Sequence, residues 1–529
     1  MINLCTLTVH SIYTYLPYTL NFSRMRLILN FILALATCSV LAQTKPLKYS
    51  LSFPKTSDHY VHVELTIEHW NDDSLVLKMP EWTPGYYQLM NFAQKVEGVK
   101  LMNPKGKTIP VERSGNSWRI NNTKNKSITI SYDVKADRKF VASSFVDTSH
   151  AYLTPAGIFM YANDKINMPV RVTIVPNKSS DRIATGLEAL TDREFTAPDF
   201  DILYDCPILI GPLEELPSFT VKGIKHRFIG YKMESFDRQL FMNNLKKMVE
   251  TASGLIGDIP YKEYTFIAIG PGRGGVEHLN NTTISFAGSE LNSAEGMNRT
   301  MNFIAHEYYH HYNIKRIRPY ELGPFDYTKA NRTNLLWVSE GLSVYYEYLV
   351  VKRAGLATEQ QLLSSLSGNI RAHETDPGRA YRSLTQSSYE TWSDGPFGRQ
   401  GEEEDRSISY YDKGPVVGLL LDIAIRKASA NKQSLDEVMR FLYYNYYKKL
   451  KRGFTDAEFQ EACEKAAGES LNEVFEYVYT AKEIHYDKYL HPAGLKLLRT
   501  MEDGKPNFQL ARIGNMDSLQ QEMLASLFR

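Results

Sequence analysis

Two histidines four positions apart, His306 and His310, with Glu307 between them, are the strongest chemical signal in the chain. On an α-helix this spacing puts both imidazoles on one face. There they can bind a single Zn²⁺, with the glutamate aimed at the water such an ion holds. A catalytic zinc takes three protein ligands and keeps a fourth position open. The third ligand is expected from Glu340, in Trp337-Val338-Ser339-Glu340-Gly341 at the start of an amphipathic helical stretch; Glu347, two turns further on, competes for the role. Glu307 would then act as general base, taking a proton from the water and passing it to a leaving amine.

Two further stretches bear on which bond is cut. Gly274-Gly275-Val276-Glu277-His278 reads as a strand edge where missing side chains let a peptide backbone approach, and Glu277 could pair with a free α-amino group. The plainer reading is a glycine-rich turn followed by a surface glutamate. Tyr410-Tyr411-Asp412-Lys413-Gly414 offers a phenol that could donate to the oxyanion of a tetrahedral intermediate. The cations of Lys315-Arg316-Ile317-Arg318-Pro319 are expected to cap the histidine-bearing helix, with recognition of a substrate carboxylate as the alternative.

These residues need elements to hold them. From about Tyr49 to Tyr231 the chain alternates polar and apolar residues, as in Tyr60 to Ile67 and Ser127 to Tyr132, with turn residues at short intervals such as Asn103-Pro104-Lys105-Gly106. This predicts an N-terminal β-sandwich over 46–232. Within it, the aromatic cluster Pro80 to Tyr87 is expected to be a packed corner. Near Ser235 the period becomes helical, opening a mainly helical domain over 233–483 that carries the motif. Residues 484–529 are too few for an independent domain of ordinary size. The acidic run Glu402 to Asp405 reads as a solvated loop.

With 529 residues, two or three domains are expected, and 61 basic against 60 acidic residues give no electrostatic reason to expect nucleic acid as partner. Met25-Arg26, the apolar run Leu27 to Leu35 and the small residues up to Ala42 read as a signal peptide over 1–42, with Met25 a possible start. Cleavage is expected after Ala42, giving a secreted or periplasmic protein with no stable membrane span. A lipoprotein anchored through Cys38 is the alternative. Cys206 and Cys463 then remain, too few for a disulfide scaffold.

Taken together, Pro80 to Tyr87, Gly274 to His278, the run from His306 through Pro319, Pro324 to Tyr327, Trp337 to Gly341 and Tyr411 to Gly414 resemble the glycyl aminopeptidase family of zinc metallopeptidases. The resemblance covers about Tyr49 to Leu498. It implies a multidomain α+β protein: a β domain, a catalytic domain similar to thermolysin and aminopeptidase N, and a PDZ domain, of which this chain would hold an incomplete, PDZ-like segment. It makes His306, His310 and Glu340 the ligands of one Zn²⁺ per chain and Glu307 the base. By analogy with aminopeptidase N, Glu277 looks like the amino-group anchor beside Gly274 and Gly275, and Tyr411 like the oxyanion donor. His278 stands where aminopeptidase N has an asparagine, which leaves its part in substrate binding open. The implied activity is removal of N-terminal residues from peptides or proteins, glycine and alanine preferred. The competing readings are a zinc endopeptidase, if Glu277 does not face the cleft, and a retired scaffold, against which the joint presence of ligands, base and donor argues. Oligomeric state is not readable from the sequence.

Overall fold

A computed structural model describes residues 45–102, 108–395, 397 and 406–529. The expected signal peptide, the Asn103–Gly106 turn and the acidic run lie outside the described residues. Pro46 to Arg529 form one unit.

The first part is β-rich, as the alternation predicts. An eight-stranded sheet runs in the order Glu188–Ala189, Glu194–Ala197, Val170–Ile174, Leu47–Ser52, Tyr60–Trp70, Lys126–Lys135, Val96–Met102, Thr108–Ile109. Two four-stranded sheets accompany it. From Tyr60 to Ile67 and from Ser127 to Lys135 every second side chain is buried, which is what a half-buried strand requires. Three buried tyrosines place their hydroxyls on one irregular segment: Tyr49, Tyr132 and Tyr204 donate to the carbonyls of Met160, Ile158 and Phe159. Backbone that no sheet pairs is thus satisfied inside the core.

The helical period near Ser235 opens a crossover rather than a new sheet. After a short helix α1 (Phe200–Tyr204), the strand Ile224–Gly230 pairs in parallel with Glu263–Ala268, and α2 (Arg238–Ile256) connects them. Strands on both sides of residue 232 therefore share one six-stranded sheet, because parallel pairing needs a helical connection. That sheet ends on Gly275–Glu277, paired antiparallel with Asn281–Ile284. The remainder is mainly helical: α3 (Ala294–Tyr309), α4 (Leu342–Arg353), α5 (Glu359–Thr375), α6 (Leu384–Asp394) and α7 (Tyr410–Ala428), followed by shorter helices. The final segment forms a hairpin, Leu495–Glu502 with Lys505–Arg512, and a helix, Ser518–Leu527. It docks on the helical body: Leu510 N donates to Ser367 Oγ on α5, and Arg426 on α7 donates to Ser526 Oγ. Cys206 and Cys463 are buried free thiols, and no described helix is long and apolar enough to cross a membrane.

Candidate active site

Helix α3 is the rigid carrier of the motif. Ser293 caps its start by accepting from Gly296 N, and its last turn buries His306, Glu307, Tyr308 and Tyr309. Tyr308 is pinned beneath by Ser253 on α2 and by Tyr261. His306 Nε2 and His310 Nε2 face each other at 2.9 Å. Glu340 Oε2 lies 3.5 Å from the first and 3.2 Å from the second. Ligand atoms about 2.0 to 2.1 Å from a tetrahedral ion stand roughly 3.3 Å apart, so these three donors fit the corners of one metal site. They form the one His/Cys/Asp/Glu cluster of metal-binding geometry among the described residues.

Electrostatics favours a cation there. Burial opposes a charge on His306, but Glu340 and Glu347 outweigh it and hold its pKa well above the ordinary imidazole range. Burial likewise opposes the Glu340 carboxylate, and the two imidazoles overcome it, holding Glu340 far below the usual carboxylate range. The contest between Glu340 and Glu347 is resolved by position. Glu340 meets the Nε2 atoms, whereas Glu347 Oε2 lies 3.0 Å from the opposite nitrogen, His306 Nδ1. Glu347 can therefore orient the ring, and a carboxylate behind a ligand imidazole is the usual support of such a site.

Sequence reasoning missed how Glu340 is brought in. Trp337–Gly341 is a π-helical turn ahead of α4, and its widened winding carries Glu340. Asn313, just past the motif, clamps that turn: its Nδ2 donates to Val338 O, Ser339 O and Ser343 Oγ, while His310 Nδ1 lies 2.8 Å from Asn313 O. The reversal after Asn313 puts Ile314 at φ 123°, a strained value for a β-branched residue. The signal available beforehand was a buried-type Asn three residues after a ligand histidine.

Glu307 is buried, and burial pushes its pKa up to about 8 against the pull of His306 and His310. Its carboxyl rests on the sheet edge at Gly275, where a Cβ would stand 2.3 Å from Glu307 Cδ and Oε1. Gly275 is thus required by the glutamate as well as being open to a substrate backbone. Two residues on, Glu277 is buried with Oε1 unpartnered. Gly274 stands at the turn before the strand, with φ +87°. His278 follows the end of the strand, and its Nδ1 lies 3.1 Å from Asp205 Oδ1. Its described contacts are structural.

The cations after the motif are also structural. Lys315 Nζ donates to Asp205 Oδ1, and Arg316 donates to the carbonyls of Leu279, His311 and Pro260. Burial raises the Asp205 pKa, but Lys315 and His278 prevail and hold it at about 2. Tyr411, on the first turn of α7, donates its hydroxyl to Glu340 Oε2 at 2.9 Å. Helix α7 reaches that far because Gly414 crosses Gly341 backbone to backbone; a Cβ on Gly414 would lie 2.6 Å from Gly341 Cα.

The Pro80–Tyr87 cluster is a packed corner, with Trp82 among Phe325, Tyr327 and Trp392. It also touches the site. Gly85, at φ +86°, lies against the sheet edge so closely that a Cβ would be 2.5 Å from Val276 Cγ1 and 2.9 Å from Glu277 Oε2.

A buried His-His-Glu cluster with a glutamate between the histidines, set beside a sheet edge, defines a metallopeptidase. Residues 48–212 match the peptidase M61 N-terminal domain and residues 299–417 match M61 glycyl aminopeptidase, together more than half of the chain. The chain belongs to the M61 peptidases. Among solved structures it is similar to an aminopeptidase N family protein from Idiomarina loihiensis, at 26% identity and a TM-score of 0.81, covering 86% of this chain and 79% of that one. An M1 zinc metallopeptidase from Deinococcus radiodurans shares the fold at 14% identity and a TM-score of 0.50, over 84% of this chain and 95% of that one. A mutant of that enzyme bound to a Tyr-Ser-Ala substrate matches similarly, at 15% identity, a TM-score of 0.50 and the same coverage. No curated protein matches the chain.

Proposed function

We propose that the protein is a zinc-dependent aminopeptidase that removes N-terminal residues, glycine and alanine preferred, from peptides. The observation that carries this is Glu277: a buried carboxylate with one oxygen unpartnered, on the edge strand that also supports Glu307. A buried unpaired carboxylate is costly unless a cation completes it, and a substrate α-ammonium supplies that cation. An endopeptidase has no use for such a group.

His306, His310 and Glu340 would hold the zinc, whose bound form supplies Lewis acidity for the scissile carbonyl and the attacking water. Glu277 binds the free amine and so sets which bond reaches the reacting position. The edge strand Gly275–Glu277 offers its free backbone groups to the extended peptide. Glu307, with its basicity raised by burial, takes the proton of the water and returns it to the leaving amine. Tyr411 donates its hydroxyl to the carbonyl oxygen as negative charge develops there; its present partner, Glu340 Oε2, is an oxygen the metal would engage. The glycine preference rests on the match to M61 glycyl aminopeptidase, and alanine enters with the family resemblance. The leader read before residue 43 accords with an exported enzyme, which the amino terminus of the mature protein would test.

The experiment is a panel of aminoacyl p-nitroanilides and matched peptides with free or blocked amino ends, assayed with and without chelator, alongside Glu307→Gln. We expect about one zinc per chain, chelator-sensitive release of N-terminal glycine and alanine, and a loss of about 10²- to 10⁴-fold in Glu307→Gln with zinc retained. Equal cleavage of blocked and free peptides would remove the aminopeptidase reading, and activity indifferent to chelation would remove the metal.

A further inference from the structure

A second feature lies next to the sheet edge. The glycine-rich loop Gly270 to Gly274 is pinned to the neighbouring chain, with Phe286 N donating to Gly270 O and Ser285 N to Gly274 O. Between this loop and the β-rich part is a cavity of about 310 Å³. Its lining carries three cations, Lys139, Lys232 and Arg273, together with His150 and Asp147. Among the described residues none of the three cations has a carboxylate within ion-pair reach. Lys139 and Lys232 lie instead over the rings of Phe145 and Tyr231. The lone carboxylate is already occupied: Asp147 Oδ1 accepts from Ser149 N, Ser149 Oγ and His150 N. His150 is stacked on Tyr231 at 4.0 Å, and burial first, then the two lysines, hold its pKa below the ordinary imidazole range against the pull of Asp147. The cavity therefore carries three cations against one carboxylate, Asp147, with which none of the three is paired.

Its place along a bound substrate follows from the edge strand. If Glu277 holds the α-amino group, the chemistry occurs at Glu307, which rests on Gly275, and so the peptide runs from Glu277 toward Gly275 and its later residues toward Gly274 and Arg273. Two strand positions separate Glu277 from Gly275, about 7 Å at roughly 3.3 Å per residue, and the loop carrying Arg273 continues from there. An extended dipeptide spans about that length, so the third and fourth residues of a peptide reach the loop.

We propose that the Lys139–Lys232–Arg273 cavity receives a carboxylate of the substrate on the leaving side of the scissile bond, giving the enzyme a preference for short peptides with a free C-terminal carboxylate or an acidic residue there. The proposal rests on the aminopeptidase reading. Two sources of the carboxylate are separable by substrate.

The test compares release of N-terminal glycine from Gly-Gly-Gly and Gly-Gly-Gly-Gly as free acids, from the same peptides as C-terminal amides, from Gly-Ala-Asp-amide, and from glycine p-nitroanilide. The enzymes are the native chain and the Lys232→Gln/Arg273→Gln variant. We expect the acids to have a KM about twofold to fivefold below the amides, the range of exposed ion pairs, with the advantage shrinking as salt is added. In the variant the advantage should vanish while glycine p-nitroanilide turns over as before. An advantage retained by Gly-Ala-Asp-amide assigns the site to acidic side chains as well; one confined to the acids assigns it to the C-terminus. Equal KM for acids and amides in the native enzyme, or an acid preference untouched in the variant, overturns the proposal. Failure to release glycine from p-nitroanilide and amides alike would instead overturn the aminopeptidase reading.

Discussion

Gly275→Ala is the sharpest test of how the site is assembled. The added methyl would sit 2.3 Å from both Cδ and Oε1 of Glu307, whereas ordinary contact begins near 3.4 Å. One partner must retreat by about 1 Å. The strand is held by its pairing with Thr282 and Ile284, and α3 is rooted in the core, so the carboxyl end of Glu307 is what moves. A misplacement of about 1 Å in a catalytic group costs on the order of 10²-fold, roughly 2.7 kcal/mol of barrier. The ligands His306 and His310 are not touched, and Gly275 has no positive φ to lose. We expect kcat on glycine p-nitroanilide to fall about 100-fold, with zinc content and thermal midpoint near those of the native protein. In a Glu307→Gln background the same change should cost little more, since both act on one group. A Gly275→Ala enzyme within threefold of native kcat would show that Glu307 does not depend on this contact, and loss of zinc would show that the strain spreads beyond it.

Three other outcomes follow from particular contacts. Gly414→Ala must open the α7 crossing at Gly341; overpacking of this kind costs about 1 to 3 kcal/mol, to be read in denaturant unfolding, and kcat should fall as Tyr411 is drawn from Glu340. Asn313→Ala removes three hydrogen bonds that hold the Glu340 turn, so zinc affinity measured by chelator competition should weaken about 10- to 100-fold, with native affinity refuting the clamp. Asp205 has its folded pKa held at about 2, below its unfolded value near 3.8. Its contribution is therefore full above about pH 4 and is lost as pH falls toward 2, about 2 kcal/mol in all. Unfolding free energies of the native protein between pH 5 and 2.5 should show that slope, and Asp205→Asn should flatten it.

What the sequence disclosed and what it hid divide along a physical line. The histidine pair is legible because its geometry lies within one helical turn, and the β-rich part because alternation is a local pattern. The third ligand was expected at Glu340 with Glu347 as competitor, but the π turn that carries Glu340 arises from tertiary demands and has no local signature. Gly275 was read as open space for a substrate, yet it also makes room for Glu307, a contact between segments that local patterning does not describe. His278 shares a motif with Glu277, but it lies just past the end of the strand and goes to Asp205, a non-local partner. The helical period at Ser235 marked a crossover helix correctly in type, while the parallel partner strand before it is a non-local pairing.

The proposed anchor is the group whose environment belongs to two parts of the fold at once. Glu277 sits on the edge of the sheet that the helical part completes, but the turn lying on it, Pro84-Gly85-Tyr86, comes from the β-rich part. Gly85 is fixed there both by a positive φ and by a gap too small for a Cβ, and Trp82 locks the same loop to the helical part through Phe325, Tyr327 and Trp392. The metal cluster, by contrast, draws its ligands and the supporting Glu347 and Asn313 from residues 306 to 347, with Tyr411 of the helical part donating to Glu340. Metal binding and amino-group selection are thus built from separable sets of contacts. A loosened junction between the parts should blur which bond is chosen before it weakens the metal or the base. In this reading the β-rich part is no passive neighbour: it closes the pocket around the carboxylate that would make the enzyme an exopeptidase.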